Sequence, residues 1–469
     1  MSGTVLTIGG AFNGLTGVVS VPSSLLFGSL SDTTSLNSQI QAYLGGITNA
    51  IATGGITFQN NNLAGNTDAT QAATVAGAGS FEEFTNVSPT GVSAAGGGNY
   101  TASVTAGVTD LVVQTPGNVT LTGAPTTSTV VFGANSNVNY SVDATTLPGT
   151  MYLAGGANSI SLFSSGSDLN AQTIYSAGSD TINLEGQGTD YVTILGNGTV
   201  QDFSANAFVT SEGNATTNLY WDNQNAGGTL NFTNNSSVAA TIHIGVFANG
   251  ETSSTKVTAF GGAGGGFYVG GASGGNSLVG GTGAVTLVGA GSGDFLEANS
   301  AQANVLAQGA GPETLVASSS TTDNIFGAGL QYPGLGNPAA TGVISTDGSG
   351  NQTFFLGNVP GGETVFGSTA TTASNTYFVV SGTVNGATVG GGLYSIYNFT
   401  GANSSIFLSN GAGGAGSASI TGAGVDQFHS SQYDISLSDG TTIELKGLTS
   451  SQIADIHTVS AFGVTGITG

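Results

Sequence analysis

The sequence predicts an all-β chain, a parallel β-solenoid or β-roll with a short helix capping its N-terminal end. Three observations carry that expectation. Glycine-rich corners alternate with small apolar pairs between Gly261 and Gly329, short strands set apart by Gly, Asn or Asp recur from Thr101 onward, and one stretch only, around Ile40, has helical periodicity.

The apolar pairs are Leu278-Val279, Leu287-Val288, Phe295-Leu296, Val305-Leu306, Leu315-Val316 and Ile325-Phe326, whose first members step by 9, 8, 10, 10 and 10 residues. Two short strands per coil of about 18 to 20 residues, joined at corners where glycine supplies φ > 0, give a solenoid in which each coil buries its apolar side chains against the next. With this register, GGAGGGFYV, GGASGGNSLV, GGTGAVTLV and GAGSGDFLEA resemble the glycine-rich nonapeptides of the RTX family, bacterial proteins exported by type I secretion. The resemblance covers roughly 70 residues and is degenerate. It implies calcium held between acidic residues of successive coils. The equivalent columns here would be Asn276, Asp294 and Glu313 on one side and Ala284, Asn304 and Asp323 on the other. These columns are mixed, and stacked corner residues in Asx-turns are the alternative reading. A calcium site of six to eight oxygens needs more carboxylates than they offer, so one or two weak sites are the most to expect.

Composition bounds the function. The chain has 469 residues, 80 of them Gly, no Cys and no Arg, with Lys256 and Lys446 set against 25 acidic residues, for a formal charge of −23. Two cations cannot build a phosphate-neutralising face, which excludes nucleic acid as a partner. Only 6% of residues are charged, against a usual share of about 25%, so the polar surface is made of Ser, Thr, Asn, Gln and Gly. Such a surface suits close packing of copies, because few ions need desolvation. At 39% apolar content the chain can bury a core. MSGTVLTIGG lacks a basic n-region, and no apolar run reaches the length of a membrane helix. A surface-type composition without such a leader fits a type I substrate, and HTVSAFGVTGITG fits its C-terminal signal loosely.

In chain order, residues 1–100 form an N-terminal region. Val5 to Ile8 reads as a strand able to pair within its own subunit or with a neighbour's edge, and Leu36, Ile40, Tyr43, Leu44, Ile47 and Ile51 mark a helix capped by Ser31 or Asp32. Gly45-Gly46 weakens that helix or ends it early, and its expected place is over the open end of the solenoid. Residues 101–260 read as the solenoid body, 261–330 as the roll, and 331–469 as a C-terminal β region that opens on the loop QYPGLGNP. Within that region, Ser438-Asp439-Gly440 between DISL and TTIEL is a hairpin turn.

Asp168, Asp180, Glu185 and Asp190 make the densest acidic cluster, and corner Asp residues of successive coils could bring two carboxylates to a calcium ion. Solvated surface acids are the plain alternative. His243, His429 and His457 are far apart and match no metal motif. The Tyr220-Trp221 pair could stack on a sugar or fill a core. No nucleophile motif or phosphate loop occurs. The expected function is therefore structural: an extracellular or bacterial cell-surface protein, not an enzyme, that assembles with copies of itself into a filament, surface layer or matrix, with calcium as a possible aid. A surface adhesin that binds matrix or cell-surface polysaccharide is the alternative. A polysaccharide-cleaving β-helix enzyme using Asp180 and Asp190 ranks third.

Overall fold

In the computed structural model the described residues are 33–53, 55–62, 72–74, 80–85, 99–104, 107–114, 117–123, 129–134, 136–143, 149–163, 171–185, 188–202, 206–221, 228–244, 255–300, 304–307, 312–318, 323–327, 342–346, 350–357, 362–370, 373–380, 382–384, 387–389, 391–399, 404–409, 418–461 and 464–468. Val5–Ile8, Ser31, Asp32, Asp168 and the 331–338 loop lie outside them. The chain is a parallel β-solenoid that divides into two compact units, residues 1–231 with 235–238, and 232–234 with 239–469.

Each coil gives one strand to each of two facing parallel sheets. In the first unit one sheet stacks Ser80–Thr85, Val108–Gln114, Thr129–Phe132, Thr150–Leu153, Gln172–Ser176, Thr189–Ile194 and Asn206–Ser211. The other stacks Asn99–Val104, Gly117–Gly123, Ser136–Asp143, Ser159–Phe163, Ser179–Glu185, Asn197–Asp202 and Thr216–Trp221. Alternate residues point inward, so the core is built of in-register columns such as Leu111, Val130, Met151, Ile174 and Val192. Stacking like on like suits β-branched and leucine side chains, each contributing about 1.5–3 kcal/mol on full burial.

The second unit repeats the scheme. Ala259, Leu278, Leu296, Leu315, Ile344, Val365, Ile396 and Leu445 form one inward column. Tyr268, Leu287, Leu306, Ile325, Phe354, Tyr377 and Ile406 form the facing one. Each apolar pair read from the repeat thus sends its Leu or Ile inward, alternately to the two sheets, and Val288 is buried beside Leu287. The coils lengthen toward the C-terminus because hairpins intervene: Gly382–Val384 with Ala387–Val389, and Ile420–Val425 with Gln432–Leu437. The Ser438-Asp439-Gly440 turn joins Gln432–Leu437 to Thr442–Lys446, with Gly440 at φ 85°.

The helix runs unbroken from Thr33 to Ala52, through Gly45-Gly46. It does not cap the end of the coil stack as expected. Leu36, Ile40, Leu44 and Ile51 instead pack on the outer face of the first unit's sheet, against Phe81, Val112, Val131, Tyr152 and Leu195. Those residues span six successive coils, about 24 Å at 4.8 Å per coil, and a 20-residue helix is about 30 Å long, so the helix lies along the stack. Gln39 meets Tyr152 while Tyr43 meets Asp110 two coils earlier, so the helix runs against the direction in which the coils advance. Packing against a ready apolar column outweighs the propensity cost of two glycines, about 2 kcal/mol together.

Candidate functional site: corner ladders and outer faces

At the corners, where each strand begins, backbone N–H groups point into the coil without a ladder partner, and burying one unsatisfied costs about 1–3 kcal/mol. The chain answers with inward Asn and Asp. Three columns repeat the triplet Val, Asn, Asp on successive coils: Val138, Asn158 and Asp180; Val257, Asn276 and Asp294; Val285, Asn304 and Asp323. In each, the Val N–H donates to the Asn Oδ1 at 2.9, 2.8 and 3.1 Å. The Asn backbone N–H and its Nδ2 both donate to the Asp Oδ1 of the next coil, at 3.0 and 2.8 Å, 2.8 and 2.8 Å, and 2.9 and 2.9 Å. The remaining Asp oxygen accepts from the Asp's own corner: Ser176 Oγ at 2.6 Å, the Ala290 and Gly291 N–H groups at 2.9 and 3.2 Å, and Ser318 N–H and Oγ at 2.8 Å each.

The third column continues through Gln352, Asn375 and Ser404, with the Asp323 N–H donating to Gln352 Oε1 at 2.8 Å and the Gln352 N–H to Asn375 Oδ1 at 3.2 Å. Its first member is Val285 rather than the expected Ala284. The second column continues to Glu313, then through Gly342 to Glu363. The Glu313 carboxyl lies over Gly289, where a Cβ would come within 2.1 Å of Oε2.

Seven carboxylates are buried among the described residues, namely Asp110, Asp180, Asp190, Asp294, Glu313, Asp323 and Glu363, and no buried Lys accompanies them. The charges of Asp110, Asp180, Asp294 and Asp323 are met by N–H and O–H donors. Burial pushes the Asp180 carboxyl above its ordinary value, and hydrogen bonds from Ser176, Asn158 and Gly178 only partly offset it. Asp180 and Asp190 do not converge: Asp180 stands between Asn158 and Gly198 in one sheet, Asp190 between Gln172 and Ala207 in the other, while Glu185 points outward. No group of three or more Asp, Glu or His placed to hold a metal ion occurs among the described residues.

At Asp180, Asp294 and Asp323 the donor set does not fit calcium. An ion needs six to eight oxygens, yet Asp180, Asp294 and Asp323 spend both oxygens on protein donors and each is faced by an amide nitrogen. Asp110, which the sequence did not single out, takes part in the seating of the helix: its Oδ1 accepts from Tyr43 Oη and its Oδ2 from Thr109 Oγ1, both at 2.8 Å. Burial first, then the nearby Asp110 charge, holds the Tyr43 hydroxyl well above the usual phenol range.

The outer faces differ in character. On the first unit, two columns present Thr101, Thr120, Asn139, Ser159, Thr181, Thr199 and Asn218 beside Ser103, Thr122, Ser141, Ser161, Asn183, Gln201 and Tyr220. These two columns carry hydroxyls and amides without one charge over seven rungs, and the exposed Glu185 follows in the next outward position of its strand. Trp221 ends the last of these strands. On the second unit, Phe260, Phe295, Val343, Phe366 and Leu393 are exposed on one face.

No protein-family model matches the chain, and neither the curated proteins nor the solved structures contain a significant match to it. What the fold defines is a two-sheeted parallel β-solenoid.

Proposed function

We propose that the protein is a structural component that polymerises through its strand edges into a filament or layer, outside the cell or on its surface. The observation that carries this is the strand Ile420–Val425. It pairs on one side with Gln432–Leu437, no strand pairs with its other side among the described residues, and ITGAGV holds no charge, proline or lysine to discourage addition. Thr57–Asn62 offers a second uncharged edge, paired only with Ser80–Thr85 among the described residues. Joining the Ile420–Val425 edge of one copy to the Thr57–Asn62 edge of the next is a heterologous contact, the kind that builds an open filament when its rotation does not close a ring. No catalytic step and no metal is assigned. Light scattering against concentration tests the proposal: wild type should assemble, and Ala423→Lys, which places a charge on the exposed edge, should stay dispersed. Equal scattering from both would overturn it.

A second reading draws on the two uncharged seven-rung columns on the outer face of the first unit. Hydroxyls and amides both donate and accept, and Tyr220 at its margin offers a flat ring, so the face suits a neutral polysaccharide. Retention on insoluble polysaccharide, lost on converting Thr181 and Thr199 to Glu, would favour that alternative.

A further inference from the structure

The exposed face of the second unit has a pattern of its own. Its eight strands Lys256–Phe260, Ser277–Val279, Phe295–Glu297, Thr314–Ala317, Val343–Thr346, Glu363–Phe366, Leu393–Tyr397 and Thr442–Lys446 lie in one parallel stack. Their outward positions form two columns. One reads Thr258, Ser277, Phe295, Thr314, Val343, Thr364, Ser395 and Glu444; the other reads Phe260, Val279, Glu297, Val316, Ser345, Phe366, Tyr397 and Lys446. Each of the first seven rungs thus sets one large apolar side chain beside a smaller or polar one, and the large one changes column along the stack. Phe260 is 48% exposed, Val343 41% and Phe366 36%, well beyond what an inward-packed residue shows.

We infer that this face docks on the same face of a second copy, related by a two-fold axis parallel to the strands. With the coil directions reversed, the first rung meets the eighth, the second the seventh, and so on. Phe295 then falls opposite Thr364, Val343 opposite Thr314, and Val316 opposite Ser345, so large side chains meet small ones along the middle of the contact. At the ends, Phe260 falls opposite Lys446, whose ammonium already lies 5.8 Å from the Tyr397 ring centre. Lys256 comes beside Glu444. Both lysines of the chain therefore sit at the two ends of this one face, Lys446 already paired with Glu444 at 2.8 Å and Lys256 brought by the arrangement to the same carboxylate. Eight rungs at about 4.8 Å and outward positions some 7 Å apart make a face of roughly 600 Å2, or about 1,200 Å2 for the pair, at the lower edge of specific interfaces. One juxtaposition is unfavourable: Glu297 falls opposite the Phe366 ring.

This inference rests on the assembly reading only in taking the chain itself as partner, and its contact is lateral, distinct from the strand edges. The test is sedimentation of Ala423→Lys, in which edge addition is blocked, against the same chain with Phe260→Ser and Phe366→Ser. The exposed rings are outside the core, and circular dichroism verifies that the fold is kept. Dimers with the edge variant alone, monomers on adding the two serines, and a tighter dimer with Glu297→Gln are expected. Lys256→Glu should weaken the dimer while Lys256→Arg keeps it. A monomeric edge variant, or dimers indifferent to the serines, would overturn the lateral contact; assembly of the wild type would then still stand or fall by the edge test.

Discussion

Asn276 donates its backbone N–H and its side-chain amide to a single oxygen of Asp294, each at 2.8 Å, across the gap between two coils. The same couple joins Asn158 to Asp180 and Asn304 to Asp323. Asn276 also accepts from Val257 and Gly271. Asn276→Ala would strand two buried N–H groups and remove one donor, the side-chain amide, from a buried carboxylate. A loss of about 3–5 kcal/mol is expected, measured by denaturant unfolding, against less than about 1 kcal/mol for an exposed control such as Asn197→Ala.

Because protein donors fill the Asp oxygens, removing calcium should leave the coils intact. Thermal melts followed by far-ultraviolet circular dichroism should coincide in calcium and in chelator. A midpoint several degrees lower in chelator would mean that an ion takes part in the fold.

The Asp180 carboxyl sits above its ordinary value because it is buried. The folded chain therefore binds that proton more tightly than the unfolded one. The stability this contributes is complete below the unfolded value of about 3.9 and is lost as pH rises through the raised folded value. Asp180→Asn keeps an acceptor for Asn158 and cannot ionise. Its stability should vary less with pH than that of the wild type between roughly pH 4 and pH 7. An unchanged pH profile would mean that Asp180 ionises as readily in the fold as in the unfolded chain.

The helix on the flank is held by a single stripe. Ile40→Ala should cost about 2–5 kcal/mol and Tyr43→Phe about 1–3 kcal/mol, the latter because Asp110 loses a donor to its charge. Hydrogen exchange should rise over Thr33–Ala52 in both variants while the coils of the second unit stay protected.

Much of this fold was legible because a solenoid writes its period into the chain. Leu278, Leu287, Leu296, Leu306, Leu315 and Ile325 all point inward as the repeat implies, and Asn276, Asp294 and Glu313 do share a column. The donors to that column were not legible. Nothing in spacing alone shows that the amide of Asn276 meets Asp294, or that the Val257 backbone needs an acceptor. The place of the helix was also hidden: an apolar stripe states that something is covered, and the covered surface is an outer column, Val112, Val131 and Tyr152, that reads in sequence like any other strand. Asp180 and Asp190, ten residues apart, face inward from different sheets because one corner lies between them, which a count of spacing does not reveal.

Negative-stain electron microscopy of the purified chain, alone and as Ala423→Lys, bears most directly on polymerisation through strand edges. Ordered filaments or sheets from the wild type, reduced to separate particles by the one substitution at the Ile420–Val425 edge, are the expected result. Dispersed wild-type particles at every concentration would contradict it.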